Sequence, residues 1–137
     1  MMLLLSSCSQ KAAFEELADG ACSSEQAQLV DKHISAQIDA MAKNDWELAY
    51  SLASPDFRSN VGIDQFIFVV STQYGMLLDN QGYEFNSCTI ANKKITQDVA
   101  VSSNSQVFNL SYSLSVDGEV LGVDSSTVTV SEDKLDI

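Results

Sequence analysis

Val107-Phe108-Asn109-Leu110-Ser111-Tyr112-Ser113-Leu114-Ser115-Val116-Asp117-Gly118 is the stretch that decides how this chain folds. Five apolar residues alternate with Asn109 and three serines, so one face of the segment is apolar and the other polar. That period of two is the mark of an antiparallel strand with one face on a core and one toward water. Asp117-Gly118 then reads as a hairpin turn, because both central residues of a type I′ turn need positive φ. A two-residue turn there pairs Val116 with Glu119, Leu114 with Leu121, Tyr112 with Val123 and Ser111 with Asp124. Outward from the hairpin, Val120–Val130 is its second arm, and Tyr83–Ile90 and Ile95–Val101 are further strands separated by polar turn residues. Leu135–Ile137 completes a last short strand.

Upstream of Asn80-Gln81-Gly82 the period changes. Ser23 and Gln26 have capping-box spacing, and Val30, Ile34, Ile38 and Met41 follow at steps of four, four and three, which predicts a helix to about Ala42. Asp45 caps a second helical stretch carrying Trp46, Ala49, Tyr50 and Ala53. Ser54-Pro55 begins a short turn, with Ser as N-cap and Pro at the first position. Ile63–Leu77 reads as a third helix with Phe66, Val69, Val70, Tyr74 and Leu77 inward; its β-branched and aromatic content makes a strand the competing reading. Between Lys11 and Asp19 lies a short apolar stripe, a helical turn or a tether, that Gly20 stops. Helices first and a strand meander second predict an α+β domain with helices packed on one face of an antiparallel sheet.

Composition narrows the function classes. Seven Lys and Arg against nineteen Asp and Glu in 137 residues leave a net charge of −12, a surface that repels phosphate backbones and argues against nucleic acid as partner. The longest purely apolar runs, Met1–Leu5 and Phe66–Val70, fall far short of the ~20 residues that span a bilayer. One histidine and no Cys-x-x-Cys give no zinc ligand set, no glycine-rich phosphate loop occurs, and no cofactor is expected.

Leu5-Ser6-Ser7-Cys8 resembles the lipobox of bacterial lipoproteins, in which a peptidase cuts before an acylated cysteine. Residues 1–7 then read as a truncated signal peptide, with five apolar residues where ~7–15 and a positive n-region are usual. Cys8 is the expected lipid attachment, residues 8–22 a tether or short helix, and the bacterial cell envelope the expected location, with the membrane as partner. Cys22 and Cys88 remain, either as a disulfide that such a compartment permits or as two buried thiols.

The run Ile38-Asp39-Ala40-Met41-Ala42-Lys43-Asn44-Asp45-Trp46-Glu47-Leu48-Ala49-Tyr50-Ser51-Leu52-Ala53-Ser54-Pro55-Asp56-Phe57-Arg58, continued by Phe66, Tyr74 and Phe85, resembles a bacterial family known as domain of unknown function 4864. That family looks like a branch of the nuclear-transport-factor-2-like superfamily, shared with ketosteroid isomerase and SnoaL-type cyclases. The resemblance spans residues 23–137 and implies a cone-like (cystatin-like) α+β fold with a curved sheet. It also implies an apolar interior able to take a small ligand, and a sheet face through which many such proteins form homodimers.

Enzymes of that superfamily place Asp, His or Tyr inside the cone, so the orientation of the polar groups decides between chemistry and binding. Asp124, paired with Ser111, falls on the serine-bearing face, and only a one-residue bulge turns it inward. His33 lies at the edge of an apolar helix stripe and reads as a half-buried packing residue. Tyr50 offers a hydroxyl that polarises a carbonyl, yet reads first as a core aromatic. Tyr50, His33 and Asp124 are thus the catalytic candidates, none of them firm. The expected function is a lipid-anchored envelope protein whose domain binds a partner or a small apolar ligand without catalysis. The alternative is an isomerase, dehydratase or cyclase on a small apolar substrate, built on Tyr50 with His33 or an inverted Asp124.

Overall fold

Ser23 starts the first long helix through a reciprocal cap: its Oγ accepts the Gln26 N–H at 3.1 Å and Gln26 Oε1 accepts the Ser23 N–H at 2.8 Å. In the computed structural model, which describes residues 13–130, this helix is α1 (Ser24–Ala42), and Val30, Ile34, Ile38 and Met41 are all buried along one stripe. Asp45 caps α2 (Trp46–Ser51) through the Leu48 N–H, and Ser54 caps α3 (Pro55–Asn60) through the Phe57 N–H. The continuous third helix expected over Ile63–Leu77 is instead two, α4 (Ile63–Gln73) and α5 (Gly75–Leu78). They are divided at Tyr74, which leaves helical geometry (φ −125°, ψ 37°) and sends its hydroxyl to Ser126 O at 2.6 Å.

Residues 14–19 carry no helix, although Ala13 and Phe14 are buried and Gln26 Nε2 donates to Ala13 O at 2.7 Å. Gly20 does not merely stop the chain. Gly20–Ala21 is a short strand, β1, antiparallel to β2 (Tyr83–Ala91). β3 (Lys94–Ser103), β4 (Gln106–Asp117) and β5 (Val120–Val130) complete a five-stranded antiparallel meander in the order β1-β2-β3-β4-β5. The helices pack on one face of this curved, unclosed sheet, an α+β fold. Asn92-Lys93 and Asn104-Ser105 form the first two hairpin turns, all four residues at positive φ as type I′ requires.

The third hairpin differs from its expected register. Asp117 pairs with Val120, so the turn is centred on Gly118-Glu119, and Gly118 (φ 69°) takes the first central position, the arrangement of a type II′ turn. Leu114, not Tyr112, therefore faces Val123.

Two bulges then reset the faces. In β2 an extra residue lies between the Phe85–Val99 and Cys88–Gln97 pairs, and in β5 Asp124 is extra between Leu114–Val123 and Ser113–Ser125. Because side chains alternate, one inserted residue exchanges inner and outer faces beyond it. The first bulge thus turns Cys88 and Ile90 inward after Tyr83 and Phe85. Gln97, buried beneath it, donates Nε2 to the carbonyls of Asn86 (3.3 Å) and Ser87 (3.2 Å). Cys88 there meets Cys22, one residue past β1, in a disulfide with a Cα–Cα distance of 5.4 Å.

The outer edge of β5 is covered where Ser54 N–H donates to Val123 O (2.9 Å) and Val123 N–H to Leu52 O (3.1 Å). The expected strand at Leu135–Ile137, the leader over residues 1–7 and the attachment residue Cys8 lie outside the described residues. Among the described residues no helix is long and apolar enough to cross a membrane, and no group of His, Cys, Asp and Glu could hold a metal ion.

Candidate functional site

The inner face of β4 and β5 does not pack fully against the helices. A cavity of about 230 Å³ remains between Tyr112 and Val123 of the sheet, Phe66 and Val70 of α4, Leu77 of α5, and Gln37 and Met41 of α1. Phe66 is the hub of its roof: the rings of Trp46, Tyr50 and Phe57 surround it at centroid distances of 6.2, 5.6 and 5.9 Å. Such offset and edge-to-face arrangements hold aromatic rings more firmly than area burial alone. Gln37 is fixed by its Nε2 donating to Ala49 O at 3.0 Å, so α1 and α2 hold the wall together.

Tyr112 is 2% exposed, yet its hydroxyl has no hydrogen-bond partner among the described residues. The same holds for Ser126 Oγ on the facing strand. The two residues are direct cross-strand partners and both line the cavity. Burial above all, and after it the nearby hydroxyls of Tyr74 and Tyr83, raise the Tyr112 hydroxyl far above the ordinary tyrosine range, so it stays neutral and able to donate.

The three sequence candidates lie apart from one another. Asp124 touches the cavity wall, but its carboxylate lies with the serine face, accepting from Lys94 Nζ at 2.9 Å and Ser115 Oγ at 3.0 Å. Partial burial would raise its pKa. Hydrogen bonds from Ser54, Lys94 and Ser115 and the Lys94 charge outweigh that and hold the carboxyl below its ordinary value. His33 instead borders a separate surface hollow with Leu29 and Leu52. Its Nε2 lies 2.8 Å from Leu52 O, and a carbonyl only accepts, so Nε2 carries the proton. Tyr50 lines neither hollow; its hydroxyl donates toward Val61 O at 2.6 Å, with Arg58 O at 3.2 Å.

Both placements give measurable consequences. Tyr50→Phe removes the donor that joins α2 to the end of α3 and is expected to cost about 1 kcal/mol in a urea melt. For His33, burial outweighs the opposing bond to Leu52 and lowers the pKa from 6.5. The unfolded chain then binds this proton more readily than the folded one. His33's contribution is full above the unfolded value and is lost as pH falls toward the folded one. Stability is expected to decline as pH drops from about 7.5 to about 5.5, and His33→Gln, which keeps a donor for Leu52 O, is expected to flatten that decline.

The model of a family described as domain of unknown function (DUF4864) matches residues 23–131. The chain belongs to the DUF4864 family. No curated protein matches it. In this DUF4864 domain the matched span opens at the Ser23 cap and takes in α1 to α5, β2 to β5 and the described lining of the cavity, while β1 and Cys22 precede it. Of the two residues in the DUF4864 cavity wall whose buried hydroxyls lack a partner, Tyr112 is readable from alternation. Ser126 is not: without the bulge at Asp124 the same alternation leaves it on the outer face.

Proposed function

We propose that this domain is a binding module of the bacterial cell envelope, anchored through lipid on Cys8, that holds a small apolar ligand in the cavity over β4 and β5 and does no chemistry on it. The observation that carries this reading is the cavity itself: a largely apolar chamber of about 230 Å³ between sheet and helices. Neither His33 nor Tyr50 lines it, and the carboxylate at its wall, Asp124, is bound to Lys94 and Ser115. The helix-covered, curved sheet supports a cone-like fold of the nuclear-transport-factor-2-like kind. The Cys22–Cys88 bond supports an oxidising compartment, as the envelope offers. The polar outer sheet face, with Ser111, Ser113 and Thr127, is the surface through which such a module would pair with a second copy.

Native mass spectrometry of the chain purified from its own cells tests the binding reading. A small apolar compound carried through purification and released unchanged is the expected result. A repeatedly empty domain overturns the reading, and a compound released altered moves it to the isomerase, dehydratase or cyclase class. Labelling with a palmitate analogue tests the anchor, with incorporation expected in the natural sequence and none after Cys8→Ser.

A further inference from the structure

We infer that the ligand of the cavity is a small aromatic compound, a single ring with a short apolar substituent, held by contacts to rings of the wall. This rests on the binding reading above and specifies its ligand. Side chains from separate parts of the fold converge on the cavity: Phe57 of α3, Phe66 of α4, Tyr74 at the break between α4 and α5, Tyr112 of β4 and Met41 of α1. Aromatic rings attract one another in edge-to-face or offset contact, beyond the area that they bury. A thioether sulfur adds a favourable contact at the edge of a ring. A saturated ligand of similar size gains the buried area and neither of these contacts.

These rings are held in place by the protein itself. Phe57 and Phe66 meet edge to face, 5.9 Å between centroids and 81° between planes, and Trp46 and Tyr50 brace Phe66 as well. Tyr74 is fixed by its hydroxyl, which donates to Ser126 O at 2.6 Å. The Tyr112 hydroxyl is sealed from the free space of the cavity, so both tyrosines offer ring rather than oxygen to a ligand. A ligand ring therefore extends an aromatic cluster already built, and the wall has little side-chain freedom left to lose. Size follows from volume: a dry cavity of about 150 Å³ accepts benzene, so about 230 Å³ takes a benzene ring carrying a short substituent. Toluene and its saturated counterpart methylcyclohexane are probes of that size.

The test is calorimetric titration of the full chain with both probes, each affinity referred to that probe's own partition from water into cyclohexane. On that scale toluene is expected to bind about tenfold more tightly than methylcyclohexane. Met41→Leu keeps the volume of a buried side chain and removes the sulfur contact. It is expected to weaken toluene by roughly threefold and to leave methylcyclohexane unchanged. Phe57→Leu is expected to weaken toluene by roughly fivefold, with methylcyclohexane within about twofold. Residues that act only as packing would shift both probes alike. Equal affinities on the partition scale, or variants that treat the two probes alike, overturn the aromatic ligand class while the binding site stands. If neither probe binds the unaltered chain, the small-molecule reading of the cavity falls and this inference with it.

Discussion

Replacing Cys22 and Cys88 together by alanine is expected to destabilise the domain by about 4 kcal/mol, the chain-entropy cost of releasing a loop of this length. The two residues are 66 apart in sequence, so the bridge closes nearly half the chain and restricts the unfolded ensemble accordingly. Against the ~5–15 kcal/mol that stabilises an ordinary domain, this is a large share. The native side adds a local consequence. β1 is two residues long, and past it Cys22 N–H donates to Cys88 O at 3.0 Å, so the disulfide secures a strand too short to hold its own edge. Ahead of β1, Phe14 is buried in the core and is tethered through the same point. Urea melts of the natural chain with and without reductant should differ by about the same 4 kcal/mol, and the double variant should not respond to reductant. Equal midpoints in all four samples would mean that the bridge contributes nothing in solution.

What sequence made visible and what it hid divide along one physical line. Features that depend on neighbours a few residues away were readable: the Ser23–Gln26 cap, the Asp45 and Ser54 caps, the buried stripe of α1 and the alternation of β4 are all present. Features that depend on a residue count along a strand were not. A bulge needs no particular residue, and neither Asn86-Ser87 nor Asp124 differs in type from the polar residues around it. Yet the first bulge decides that Cys88 faces Cys22, and the second decides that Ser126 joins Tyr112. The same limit applied to the hairpin, where the choice of which residue of Asp117-Gly118-Glu119 opens the turn moved the pairing by two positions. His33 was legible as a half-buried side chain, and Tyr50, which reads from sequence as a core aromatic, is half-buried against the core instead. Their hydrogen bonds to the carbonyls of Leu52 and Val61 are tertiary, and no local pattern announces them.

Gly122→Ala is expected to cost about 3 kcal/mol, the upper end for inserting a methyl group where packing leaves no room. A Cβ at Gly122 would stand 2.5 Å from Ser54 Cα and 2.8 Å from Ser54 Cβ, separations that real Cβ atoms essentially never adopt, and 3.0 Å from Ser54 N. Neither partner is free to yield. Ser54 is held by its N–H to Val123 O, by its Oγ capping α3 through the Phe57 N–H, and by Leu52 O, which accepts from both Val123 N–H and His33. On the other strand, Gly122 lies between the Leu114–Val123 and Val116–Leu121 pairs, so moving it breaks the ladder. The segment 52–54 would have to lift off, exposing the edge of β5 and pulling Ala53 out of the cavity wall. For a domain of this size the loss reads as a melting temperature roughly 10–15 °C lower. Binding of the ligand proposed for the cavity should weaken with it. Gly75→Ala is the control, since a Cβ there meets nothing within 4 Å and Gly75 begins α5, where alanine suits the backbone at least as well. A Gly122→Ala variant as stable as Gly75→Ala would mean that segment 52–54 does not dock on β5, and would leave that strand as an open edge.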